Sequence, residues 1–444
     1  MVLFPLLFVA IFFAHYLIMP LGFGGIDSQR MMLVAAIAVI LARFALRYHF
    51  MSAILFSLFY AAIFVWIDLP YSPYLKQLSY IFLLVGAIAL LMGEDFNDEY
   101  IVATFAICAL VSFVLICVCY AVFFSLGLAF NWKECFAFFS HPRFFNHFQV
   151  GAVLLFPMLI LKSDSKVTRV LAFLALSLSV ATILVSAGRG IWVSLTAAAL
   201  VILCLRIRYY QRYFTFLILG VIAGFFVFLI FSYLSSPSGS LVLAGLEERG
   251  SVLADNRSRI WELTVAKIIE RPVLGWGAYS YAFLAGEIWL PAHPHQAVLQ
   301  LAFEYGLPLT IVIVAFFTYS IYTLFKRIRL LNNDWATVYF ASLIALALNA
   351  QYSAVLIMPV GQMMVVVITA RLLSLVFSEW ITTLKSMFVL PRKLLPISFF
   401  ILMGGAVMIW GVVIEDYLRF RGEGEWSKRH EKRIFLPRTW ENAS

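Results

Sequence analysis

The chain has 444 residues, of which 64% are hydrophobic and 12% charged, and its mean hydropathy is +0.97. A water-soluble domain carries roughly 25% charged residues, so this composition excludes an ordinary soluble enzyme and describes a polytopic membrane protein. The net charge of +9 would suggest a nucleic-acid ligand in a soluble chain. Here the placement of the charges follows membrane topology instead, and no nucleic-acid partner is expected.

In chain order, about thirteen apolar runs recur, each long enough to cross a hydrocarbon core of about 30 Å as a helix. They centre near residues 12, 40, 59, 83, 115, 154, 177, 198, 224, 317, 343, 366 and 404. In lipid every backbone polar group must be satisfied within its own segment, which selects helices over open strands. The expected fold is all-α and polytopic, with about 12 to 13 transmembrane helices. The first run begins at Val2 without a basic n-region or a small-residue cleavage site, so it is expected to be a retained span.

Basic residues gather in alternate connections: Arg43 and Arg47, then Lys162, Lys166 and Arg169, then Arg206, Arg208 and Arg212, then Lys326, Arg327 and Arg329, and Lys385, Arg392 and Lys393. The positive-inside rule places these connections and the N-terminus in the cytoplasm. The opposite connections, Leu21 to Arg30, Asn131 to Asn146, the hinge at Ala187 to Gly190 and a long segment from about Ser235 to Pro308, then face outward. Counting spans puts the C-terminal tail outside, whereas its many basic residues place it inside with one span fewer. Four regions result: residues 1–234 with the N-terminal spans, 235–308 as the long outer loop, 309–414 with the C-terminal spans, and a basic polar tail at 415–444. Of the five cysteines, Cys135 alone lies in an outer loop, so neither a disulfide framework nor a zinc pattern is implied.

Polar residues concentrate on the outer side at four places. The first is HPRFFNHFQVG, residues 141–151, which sets Arg143, Asn146, His147 and Gln149 at the top of a span. It reads either as an interfacial cap with aromatic anchors or as part of a catalytic surface. The second is VSAGRGIW, residues 185–192, with Arg189 between two glycines where one span ends and the next begins. Such an arginine either snorkels to the headgroups or, with the bulk around it removed, meets a ligand close to the backbone.

The third lies in the long outer loop, where ADNRSRIWELTVAKIIERPVLGWGAYSY predicts a helix capped by Asp255 or Asn256, with Ile260, Trp261, Thr264, Val265 and Ile268 as its apolar side. It ends before Pro272, and Gly275 and Gly277 supply a turn. Arg257 and Arg259 in its first turn are either solvated charges or an anion clamp, because helix N-termini attract anions and arginine binds phosphate bidentately. The fourth is PAHPHQAVLQLAFEYGL, residues 291–307. Spacing predicts a short helix starting at His295, with Gly306 and Pro308 closing it. His295 would project from the N-terminal turn, either as a neutral base or as a cap, and His293 before a proline is expected to be structural. Outer carboxylates are few, there is no DxD pair, and the two histidines lack the i, i+4 spacing of metal ligands, so neither a metal nor a cofactor is expected.

These motifs, taken in order, resemble the O-antigen ligase and polymerase superfamily of bacterial membrane glycosyltransferases. His295, Gln296 and Gly306 match a pattern of His, then Asn, Ser or Gln, nine residues, and Gly, while Leu309 departs from its closing position. RFFNHFQ, SAGRGIW and the R-x-x-x-W helix followed by P-x-x-G-x-G agree in order. The resemblance implies a GT-C-type fold and transfer of a glycan from undecaprenyl diphosphate at the periplasmic face of the inner membrane, inverting and without a metal. It implies that Arg189 and Arg257 hold the diphosphate and that His295 activates the acceptor hydroxyl, with Arg143, Asn146, Arg259, His293 and Gln296 in support. The acceptor is lipid A-core in a ligase, another lipid-linked glycan in a polymerase, or a protein hydroxyl in a pilin-type oligosaccharyltransferase. The compact outer loop, lacking a large protein-binding domain, favours the ligase. A transporter or flippase is the alternative from another class; its polar residues would be expected within the spans and near mid-membrane.

Overall fold

The computed structural model describes residues 3–13, 32–33, 36, 81, 84–89, 91–92, 96–126, 142–186, 188–235, 257–278, 280–281 and 293–378. The expected spans centred near residues 40, 59 and 404, and the C-terminal tail, lie outside them. The chain divides into two units, Met1–Leu33 with Asp95–Gly275 and Pro294–Val376, and Val34–Glu94 with Trp276–His293 and Phe377–Ser444. The first unit carries the helices that position the site.

The structure is all-helical among the described residues. In order, the helices are α1 (Leu3–Phe12), α2 (Asp98–Ser125), α3 (Pro142–Ala152), α4 (Phe156–Lys162), α5 (Lys166–Val185), α6 (Arg189–Leu205), α7 (Tyr210–Ser235), α8 (257–270), α9 (Ala297–Tyr305), α10 (Leu307–Leu331), α11 (Asp334–Asn349) and α12 (Pro359–Val376). Six stretches among them are long and apolar enough to cross a membrane: Asp98–Ser125, Phe144–Lys162, Lys166–Val185, Tyr210–Tyr233, Leu307–Leu331 and Pro359–Val376. The shorter apolar helices α6 and α11 complete the bundle. This is an all-α polytopic membrane protein, and each described span falls at an expected centre.

Within the bundle, α3 and α4 form one span interrupted by a 3₁₀ turn at Val153–Leu155. Pro157 lacks a backbone N–H and crowds the preceding turn, so the regular helical ladder cannot run through it. The Tyr213 hydroxyl donates to the Leu154 carbonyl at 2.6 Å, satisfying one acceptor in the broken turn. Around this span pack α2, α5, α11 and α12. Phe8, Phe105 and Phe148, together with Phe12 and Phe145, form a buried aromatic cluster joining α1, α2 and α3, with Phe8 to Phe105 at 4.7 Å and Phe12 to Phe148 at 4.8 Å between ring centres.

One end of the bundle is closed by charge. Lys162 pairs with Asp334 at 2.7 Å, and the Arg208 backbone N–H donates to the same carboxylate at 2.9 Å. Deeper, the Arg371 guanidinium donates to Asp98 from Nε and Nη2, each at 3.0 Å. Arg371 is buried on α12, where Asp98 on α2 supplies a carboxylate far away in sequence but adjacent in the fold. A buried arginine is tolerated when hydrogen bonds offset its lost hydration.

Candidate active site

The opposite end of the bundle holds the polar motifs. Here α5 ends at Ser186 and α6 begins at Arg189, with Gly188 at its N-cap. Asn146 on α3 is buried and donates from Nδ2 to Ser186 Oγ at 2.7 Å. One turn on, Gln149 donates to the Ser179 carbonyl at 3.0 Å and to the Thr182 hydroxyl. Asn146 and Gln149 thus fasten α3 to α5 from the interior of the bundle, and His147 beside them is buried as well. Their donor hydrogen bonds offset part of the cost of burying amides in an apolar bundle, while Asn146 Oδ1 and Gln149 Oε1 are buried without a hydrogen-bond partner among the described residues. Arg143 stands in the first turn of the same helix.

Arg189 is exposed at the head of α6. A Cβ on its neighbour Gly190 would lie 2.6 Å from Tyr352 Cβ, so only glycine lets the hinge approach the turn that follows α11. That turn, Ala350 to Ser353, is a hub. Its Ala350 carbonyl accepts from the Ala297 N–H at 3.1 Å, anchoring the start of α9. Its Ser353 Oγ lies 2.7 Å from His147 Nε2. The hinge of Arg189, the buried His147 and the segment of His295 therefore meet on one short turn.

The α9 helix differs from its sequence expectation at its start. The first helical residue is Ala297, and Gln296 is the N-cap, its side chain accepting from the Leu299 N–H. His295 precedes the helix with φ of 56°, the left-handed region, where histidine is more common than most side chains. It does not project from the first helical turn or share a face with Leu299; the left-handed residue turns the chain into the cap. His295 lies within electrostatic range of His147. His293 belongs to the second unit.

The helix α8 is held against this segment by Trp261, whose indole N–H donates to the Pro294 carbonyl at 3.0 Å. Ile260, Thr264 and Ile268 form its buried stripe, while Val265 is exposed, so the apolar side is narrower than the sequence suggested. Arg257 is half-buried at the first turn, one turn before Trp261 and on the same side of the helix. Burial lowers its guanidinium from the usual arginine value, a desolvation that a bound anion would offset. Arg259 is exposed. Among the described residues no carboxylate pairs with Arg189 or Arg257, and no group of three or more His, Cys, Asp or Glu converges to hold a metal ion.

Backbone contact explains two glycine motifs at once. The turn after α8 carries Gly275 at φ of 66°, and α9 ends at Gly306 with φ of 82°. A Cβ on Gly306 would lie 2.1 Å from the Val273 carbonyl oxygen, and one on Gly275 would lie 2.6 Å from Glu304 backbone. The Leu307 N–H donates to the Pro272 carbonyl at 2.7 Å. The P-x-x-G turn and the closing glycine of the histidine motif are therefore two sides of one junction, which fixes α8 to α9. Sequence reasoning missed the hub turn, although NAQYSA interrupts two apolar spans on the side expected to face outward, and that interruption was the available signal.

The fold and this polar end define a multi-pass membrane protein with an arginine- and histidine-bearing site at one end of its bundle. Residues 173–314 match the family model described as O-Antigen ligase. A protein of Rickettsia conorii named "Putative polysaccharide ligase" is 35% identical over 92 residues, covering 18% of this chain and 21% of the relative. The matched stretch thus spans about a fifth of that relative's length. The family segment includes Arg189, Arg257, His295 and Gly306, while α3 lies before it.

Proposed function

We propose that the protein is a GT-C-type glycosyltransferase of the O-antigen ligase kind, moving a glycan from undecaprenyl diphosphate to an acceptor hydroxyl, with lipid A-core as the favoured acceptor. The reaction takes place at the periplasmic face of the bacterial inner membrane. The orientation is supported by the basic residues Lys162 and Arg208 at the end of the bundle opposite the site, the end that positive charge keeps in the cytoplasm.

The carrying observation is the turn at Ala350 to Ser353, on which the Arg189 hinge, His147 and the His295 segment converge, Arg189 and His295 both lying in the stretch that matches the ligase family. In the proposed mechanism Arg189 and Arg257 hold the donor diphosphate. As the glycosidic bond breaks, negative charge grows on the departing diphosphate, and preorganised guanidinium groups stabilise it where it develops. His295 accepts the proton of the acceptor hydroxyl as that oxygen attacks the anomeric carbon from the opposite face, inverting it without a metal. General base catalysis of this kind contributes typically ~10² to 10⁴-fold. Arg143, Asn146, Arg259 and Gln296 support the site, Asn146 and Gln296 by fixing α3 and the start of α9.

The test is substitution and deletion read by glycan analysis. His295→Ala is expected to abolish transfer while folded protein stays in the membrane; retained transfer overturns the base assignment. In a deletion strain, free lipid A-core with accumulated lipid-linked polymer supports the ligase. Capping by single repeats indicates a polymerase and unmodified pilin a protein glycosyltransferase. Loss of lipid-linked glycan from the outer leaflet alone indicates a flippase.

A further inference from the structure

We propose that His147 is a positioning residue for His295: a second imidazole, fixed by Ser353, that stands where a histidine base is commonly oriented by a carboxylate. The inference rests on His295 being the base. His147 is completely buried on α3, its Nε2 is committed to Ser353 Oγ at 2.7 Å, and its Nδ1 is buried with no hydrogen-bond partner among the described residues. An unsatisfied buried polar atom is costly, so its retention calls for a reason. The reason lies in the shared turn: Ser353 holds the His147 ring, and three residues earlier the Ala350 carbonyl accepts from the Ala297 N–H at 3.1 Å, fixing the segment of His295 to the same turn.

The chemistry accounts for the pairing. In the transfer step the acceptor O–H bond breaks and its proton passes to His295. A bond forms from that oxygen to the anomeric carbon, and the bond to the diphosphate breaks with its electron pair leaving on the diphosphate. Positive charge therefore appears on His295. A neutral His147 ring offers that charge a nearby dipole, and Ser353 keeps the ring oriented, extending the base-and-orienter logic of activated nucleophiles.

Among the described residues, few charges lie on the elements that carry the pair. Arg257 heads α8 and Arg189 heads α6, and Arg143 precedes His147 on α3. The hub turn brings Tyr352 and no charge. The other helices packed on α3 carry their charges, Asp98, Asp334 and Arg371 among them, toward the opposite end of the bundle. No carboxylate among the described residues at this end is paired with His147.

The experiment uses the full chain in membranes with a lipid-linked glycan donor, comparing His147→Phe, His147→Gln, Ser353→Ala and His295→Ala. His147→Phe is expected to lower kcat roughly 10- to 100-fold, within the range of base catalysis, while KM for the donor stays within about twofold. The acid limb of its kcat/KM profile should move to lower pH, because the protonated His295 loses a stabilising neighbour. His147→Gln should recover part of the rate, and Ser353→Ala should shift the profile in the same direction by less. A wild-type kcat and profile for His147→Phe beside an inactive His295→Ala overturns this inference alone, as does a loss confined to KM. An active His295→Ala overturns the base assignment and this inference with it. Should phenylalanine prevent folding, unchanged profiles in both His147→Gln and Ser353→Ala overturn the proposal.

Discussion

The Trp261 indole donates to the Pro294 carbonyl at 3.0 Å, so the helix that begins with Arg257 is fastened to the residue immediately before His295. Trp261→Phe keeps most of the ring's packing and removes this donor. Leaving a half-buried carbonyl unsatisfied costs about 1–3 kcal/mol. Glycan transfer should fall by severalfold to tenfold with the protein still inserted; unchanged transfer would show that the bond does not align the two segments.

At Arg257, lysine is not an equivalent charge. It cannot form the planar bidentate contact to a diphosphate, and its ammonium loses charge readily when desolvated. Burial already lowers the Arg257 guanidinium, and burial disfavours the charged form of any base. Arg257→Lys should therefore be severely impaired near neutral pH, and what activity remains should fall further as pH rises and the ammonium deprotonates. A pH series on transfer by this variant, alongside wild type, checks the sign.

The junction between α8 and α9 permits no side chain at Gly306. At φ of 82°, with a Cβ only 2.1 Å from the Val273 carbonyl oxygen, alanine would be strained and would push the two backbones apart. Strain of this kind costs on the order of 1–3 kcal/mol before any clash is counted. Gly306→Ala should lower the unfolding temperature of the detergent-solubilised protein and sharply reduce transfer. Gly86→Ala, where a Cβ meets nothing within 4 Å, is the control expected to leave both unchanged.

The Asp98–Arg371 pair makes a stability prediction far from the site. Removing one partner strands a buried charge, at a cost of about 3–5 kcal/mol, whereas replacing both by apolar residues is often neutral. Arg371→Leu should destabilise the solubilised protein strongly, and Asp98→Leu combined with Arg371→Leu should recover most of the loss. Thermal unfolding of the single and double variants decides this; additive losses would contradict it.

The helices were legible because lipid leaves few choices: a run of apolar residues long enough to span must satisfy its own backbone, so composition alone positions it. The α8 helix was legible too, since Ile260, Thr264 and Ile268 recur at helical spacing and Pro272 stops it. The start of α9 was not. A motif beginning with histidine suggested that the helix began there as well, whereas the cap is the next residue, Gln296, and His295 occupies a left-handed turn that spacing does not encode.

By itself the sequence determined an all-α membrane protein and the order of its polar motifs, because periodicity, hydropathy and charge placement are local or one-dimensional properties. Only the tertiary structure decided what those motifs touch. It tied His147 and the segment of His295 to one turn after α11, brought that turn against Gly190, and matched Arg371 with Asp98. Each of these joins residues distant along the chain, and such contacts are chosen by how helices pack together, a quantity that no local window of sequence contains.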